Sequence, residues 1–156
     1  MKHDGMKWMA LALLAAMAGS AAADDGRWKV SKPGVVTDTF TDTQWTQRDN
    51  LGDINWHDAK AYCVNLALDG GGWQLPTMGE LSQFYSGAQG NAVNCGGYRC
   101  IAPKVFYLTS TSLWSHEEGK SSSEAMAHDL SGGHRNSLHI TKPTFSSRAL
   151  CVRRRS

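Results

Sequence analysis

Apolar and polar positions alternate along this chain with two different periods. Trp56, Ala59, Cys63 and Leu66 recur at intervals of three and four, which places them on one face of a helix. Asp53 or Asn55 is its expected cap, and Asp69 with Gly70, Gly71 and Gly72 its end. A second helix is predicted after Pro76. Thr77 and Glu80 have the spacing of a capping box, and Leu81, Phe84 and Tyr85 supply the apolar side. Pro76 biases Leu75 towards an extended shape, so the stretch from Gly70 to Leu81 reads as a rigid corner.

Elsewhere the pattern favours strands. Val35 to Trp45 is rich in Val, Thr and Phe, and Val105 to Thr109 and Ser112 to Ser115 are also strand-like. Glu124 to Leu130 and His134 to Thr141 flank Ser131-Gly132-Gly133, a hairpin signal. Arg148 to Arg153 reads as a closing strand that carries Cys151. Gly87 to Cys100 reads as loop, and residues 24 to 34 as a polar lead-in.

The first 23 residues change the picture. Lys2, His3 and Lys7 precede an apolar run from Trp8 to Met17, then small residues to Ala23 and Asp24-Asp25. This is the layout of a secretory signal peptide, and the run is short of the ~20 residues that a membrane-spanning helix needs. Export, to a periplasm, a cell surface or the medium, is the expectation. The formal charge of the 156-residue chain is +2; removing Lys2, Lys7 and Asp4 takes away two positive charges and one negative and leaves +1. A near-neutral chain gives no case for nucleic acid as a partner. The charge is uneven, because Arg148, Arg153, Arg154 and Arg155 crowd the C-terminus.

Four cysteines behind an export signal predict disulfides, with three possible pairings. Cys95 and Cys100 bracket a short flexible stretch that can close on itself, which leaves Cys63 for Cys151. Tyr98 and Arg99 would then sit on a stapled loop, where a tyrosine and an arginine suit sugar stacking or anion capture. Nothing marks an activated nucleophile: there is no G-x-S-x-G elbow, P-loop or dinucleotide fingerprint. No cofactor is implied. With Gly132-Gly133 as a two-residue turn, His128 faces Ser137 and Met126 faces His139, which makes His128 and His139 diagonal neighbours. A metal could bridge that pair with help from Glu117.

Several of these residues occur in a known order: Trp56-x-x-Ala59-x-x-Tyr62-Cys63, then Trp73-Gln74-Leu75-Pro76-Thr77-x-x-Glu80-Leu81, then Leu113-Trp114-Ser115, then Arg148-x-x-Cys151-Val152-Arg153. From Val35 to Arg153 the chain resembles the Lcl C-terminal domain family. The resemblance implies an α+β, C-type-lectin-like fold of two helices on a small, mostly antiparallel sheet, stapled by disulfides. It agrees with pairing Cys63 to Cys151, and it leaves residues 154 to 156 as a basic tail. Gln74 stands where the family usually has Arg, and Leu113 where it usually has an aromatic. The Glu-Pro-Asn, Gln-Pro-Asp and Trp-Asn-Asp motifs of calcium-dependent lectins are absent. Some proteins that resemble this one are adhesins for sulfated polysaccharides. The expectation is a non-catalytic binding module for an anionic polysaccharide, using Tyr98, Arg99, Arg148, Arg153, Arg154 and Arg155. The alternatives are a structural envelope protein that binds other proteins, and a metal-assisted enzyme using His128 and His139.

Overall fold

The structure, a computed structural model, describes residues 26–141 and 147–155. The signal-peptide reading of residues 1 to 23 falls outside them. The fold is α+β, with two α-helices, small antiparallel sheets and two disulfides.

The first sheet is built from β1 (Trp28–Lys32), β2 (Val35–Asp38), β3 (Thr43–Thr46) and β9 (Val152–Arg154), in that spatial order and antiparallel throughout. The stretch from Val35 to Trp45 holds two strands, joined by a turn in which Asp42 has φ 54°. The lead-in is also structural. Residues 28–32 pair with β2 across a turn at Pro33-Gly34, where Gly34 takes φ 76°. All four residues of β2 are buried, because the sheet has core on both faces. One side carries Trp28, Val36, Trp45 and Val152 against Phe84. The other carries Val35 and Cys151 against Trp56, Trp73 and Trp114.

Helix α1 (Trp56–Asn65) buries the expected face, Trp56, Ala59 and Cys63. Its cap is Asn55, whose side-chain oxygen accepts the Asp58 N–H at 2.9 Å. A 3-10 turn over Leu68–Gly70 follows, and Gly70, Gly71 and Gly72 take φ of 88°, 80° and 81°. Three successive left-handed residues cost an L side chain too much, which explains the glycine run. Helix α2 (Met78–Gly87) starts on the capping box. Glu80 N–H donates to Thr77 Oγ1 at 3.0 Å, and Thr77 N–H donates to Glu80 Oε2 at 2.8 Å.

The segment from Gly87 to Cys100 is more ordered than a loop. It contains a hairpin of β4 (Ala92–Cys95) and β5 (Tyr98–Ile101), closed by the Cys95–Cys100 disulfide. Gly96 has φ 63°, and a Cβ there would lie 2.1 Å from the Thr109 carbonyl oxygen, so only glycine fits. Val105 to Thr109 forms no strand and contributes one bridge, Arg48 to Tyr107. The third sheet is β6 (Ser112–Glu118), β7 (Glu124–Asp129) and β8 (His134–His139). Where the resemblance implies one small sheet, the strands form three separate ones among the described residues. The C-terminal strand is tied down by the Cys63–Cys151 disulfide and by a bridge between Gln74 and Val152 with N–H···O distances of 3.0 and 2.9 Å.

Candidate functional site

Residues in a strand alternate between its faces, and β9 applies this rule to the arginine run. Val152 pairs with Trp45 and Arg154 with Thr43, so these four share the α2 face of the sheet. Arg153 pairs with Gln44 and leaves on the opposite face. There its guanidinium lies 4.3 Å from the Trp73 ring centroid. It donates to Gln44 Oε1 at 2.9 Å, to the Asp69 carbonyl at 2.9 Å, to the Gly71 carbonyl at 2.6 Å and to the Asp69 carboxylate. Lys32, from β1, reaches the other Asp69 oxygen at 2.9 Å. The hydrogen bond from Lys32, and then that from Arg153, hold the Asp69 carboxyl below the usual carboxylate range.

These residues surround a cavity of about 470 Å³, lined by Lys32, Gln44, Asp69, Arg153, Arg154 and Arg155 with Gly71 and Gly72. Four cations therefore meet one carboxylate. Arg155 is exposed, and its guanidinium lies 3.4 Å from the Asp42 carboxylate. Arg154 belongs to β9 rather than to a basic tail. Lys32, Gln44 and Asp69 lie far from the arginines in sequence, and the arginine run gives no sign of them. The signal for Lys32 is the Pro33-Gly34 turn, which folds it back onto the sheet.

Arg148 does not join this cluster. It is 9% exposed, donates to Thr109 Oγ1 at 2.9 Å and pairs with Asp53. Thr109 in turn donates to Asp49 through its N–H at 2.6 Å and its hydroxyl at 2.8 Å. Arg148 thus fastens the segment around Thr109 to the turn before α1, and its charge is turned inward. Tyr98 and Arg99 are exposed as expected, but they are neighbours in β5, opposite Cys95 and Asn94. Their side chains leave on opposite faces and do not line the cationic cavity.

The histidine pair also comes apart. His128 pairs with Arg135, Met126 with Ser137 and Glu124 with His139, a shift of two residues from the expected register. The turn has four residues, since Asp129 itself pairs with His134. His128 and His139 are consequently two pairs further along the ladder than diagonal neighbours. Glu117 caps α2 by accepting the Met78 N–H at 2.9 Å, and His139 Nδ1 lies 2.9 Å from Thr141 Oγ1. No group of three potential metal ligands forms among the described residues.

His128 is instead a core residue, 2% exposed, with its ring centroid 5.5 Å from that of Tyr85. Its Nδ1 has no hydrogen-bond partner among the described residues. Burial pushes its pKa below the ordinary 6.5, Arg135 and His134 push the same way, and Asp129 opposes them. The unfolded chain therefore takes up this proton first as the pH falls. The stability that neutral His128 contributes is complete above about pH 6.5 and is lost as the pH falls through the folded-state value. Urea unfolding midpoints will drop between pH 7.5 and pH 5, and His128→Leu will flatten that slope. An equally steep slope in the variant would assign the effect to another group.

A family model, that of the Lcl C-terminal domain, matches residues 34–153. No curated protein matches the chain.

Proposed function

The chain belongs to the Lcl C-terminal domain family, and on that premise we propose that it is an exported, non-catalytic module that binds anionic polysaccharide in the cavity around Asp69. The observation that carries this reading is the excess of charge there: Lys32, Arg153, Arg154 and Arg155 against one carboxylate. Arg153 is the positioning residue, because it also holds the carbonyls of Asp69 and Gly71. Lys32 and Arg155, with side chains 58% and 56% exposed, are two cations that a ligand can reach. Gly71 and Gly72 place no side chain over the opening. The C-type-lectin-like architecture belongs to the same proposal. Its support is the antiparallel sheet that joins the N-terminal hairpin to the C-terminal strand, with α1 tied to that end by Cys63–Cys151. Export is supported by the two disulfides. No helix among the described residues is long and apolar enough to cross a membrane.

The test is binding of the oxidised protein to a glycan array that includes sulfated polysaccharides, at low and physiological salt, with calcium and with chelator. Binding will be salt-sensitive, since exposed charges are screened within about 8 Å at physiological ionic strength. It will be indifferent to calcium. Lys32→Ala with Arg155→Ala will weaken it by roughly 5- to 30-fold, at about 0.5–1 kcal/mol for each exposed cation removed. Unchanged affinity in that double variant would remove the cavity from the reading.

A further inference from the structure

The α2 face of the sheet holds a second cavity, of about 320 Å³, lined by Asp38, Thr41, Thr43, Trp45, Glu80, Gln83 and Arg154. That volume falls at the low end of the roughly 300–1,000 Å³ typical of small-molecule pockets. The floor is fixed. Asp38 is 2% exposed and accepts two bonds from Arg27 at 2.8 Å, one from the Thr41 hydroxyl at 2.8 Å and one from the Phe40 N–H at 3.0 Å. Its charge is answered by Arg27. Thr43 Oγ1 accepts the Trp45 indole N–H at 3.0 Å, and Trp45 is buried beneath.

Two charges remain. Arg154 is exposed, and no ion pair or hydrogen bond holds its guanidinium among the described residues. Glu80 is fixed by the capping box through Oε2, which leaves Oε1 without a partner among the described residues. Arg154 and Glu80 line the same cavity, yet no ion pair joins them. A small cavity with a cation on one wall and a carboxylate on another is complementary to a ligand that carries both charges.

We propose that this cavity binds a small zwitterion, a free α-amino acid, with its carboxylate on Arg154 and its ammonium at Glu80. A guanidinium presents two parallel N–H donors to a carboxylate, and a carboxylate oxygen accepts from an ammonium. Gln83 and the Thr41 hydroxyl are polar groups for the ligand's side chain, and Trp45 is the apolar floor. Arg154 lines both cavities, but the remaining groups of this one lie on the opposite face of β9 from Arg153, and Glu80 lines this cavity alone of the two.

The experiment is calorimetric titration of the folded, oxidised protein with L-alanine, L-serine and L-glutamine, each also as its N-acetyl form and as its amide. At least one free amino acid will bind, and blocking either end will weaken it by about tenfold or more. Glu80→Gln preserves the capping box, in which Gln also serves. It will abolish discrimination against the N-acetyl form and keep discrimination against the amide. Arg154→Gln will do the converse. Unfolding midpoints of both variants will match the wild type. No binding heat for any of the three amino acids would overturn the proposal, as would blocked forms that bind equally well, or a Glu80→Gln variant that still rejects the N-acetyl form.

Discussion

Replacing Trp28 with alanine will destabilise the domain by about 3–5 kcal/mol, the range for a buried aromatic truncated to a cavity. Trp28 is 5% exposed. Its ring lies edge-on to Trp45 at 6.4 Å and to Phe84 and Phe106 at 5.5 Å each, and its indole N–H donates to the Gly87 carbonyl at 3.1 Å. It therefore joins the sheet to the end of α2 and to the segment after β5. Yet Trp28 precedes residue 34, where the family match begins. A chain starting at Val35 would lose this contact, the whole of β1, and the Arg27–Asp38 pair, which would leave Asp38 buried without its cation. Such a chain will unfold at a much lower guanidinium concentration than one starting at Gly26, or will fail to fold. Equal midpoints for the two chains would show that the hairpin is an ornament and that the domain begins at Val35 after all.

The second large effect is that of the long disulfide. Cys63 and Cys151 are separated by 88 residues. In the chain-entropy model that closure contributes roughly 4–5 kcal/mol, against about 2 kcal/mol for the Cys95–Cys100 ring. Native domains have only about 5–15 kcal/mol of stability in all. Cys63→Ala with Cys151→Ala will bring the protein close to its unfolding threshold at physiological temperature, whereas Cys95→Ala with Cys100→Ala will leave it folded. Guanidinium midpoints of the two double variants give the comparison. If the first pair shifts the midpoint no further than the second, the contacts of β9 with β3 and Gln74 hold the C-terminal strand without help from the bond.

What the sequence made legible was local. The two helix starts and the buried face of α1 depend on residues within a turn or two of one another. The disulfide pairing followed from the shortness of one loop. Less was legible where two distant stretches had to meet. Pro33-Gly34 is a turn signal, but Lys29, Ser31 and Lys32 hid the strand before it, because β1 is an edge strand whose residues after Trp28 are exposed. The β7–β8 register slipped because Asp129 acts on the turn. Its carboxylate accepts the Ser131 N–H at 2.9 Å and the Ser131 hydroxyl at 2.8 Å, and its carbonyl accepts the Gly133 N–H at 2.8 Å. That widens the turn beyond the two glycines. The arginine run looked like one patch, but strand alternation divides it between two faces, and only pairing with β3 decides which arginine goes where.

The two disulfides are nested: Cys95–Cys100 lies wholly inside the span from Cys63 to Cys151. A chain delivered N-terminus first offers Cys63, then Cys95 and Cys100, and Cys151 last. An oxidant that joins thiols in order of arrival would link Cys63 to Cys95 and strand Cys100 with Cys151. The native pairing requires either that Cys63 stay reduced until β9 arrives or that a thiolate later exchange the wrong bond for the right one. Where such an oxidant acts on Cys63 before β9 arrives, the yield of natively paired protein will depend on the supply of disulfide isomerase, a dependence set by the order of four residues rather than by any property of the finished fold.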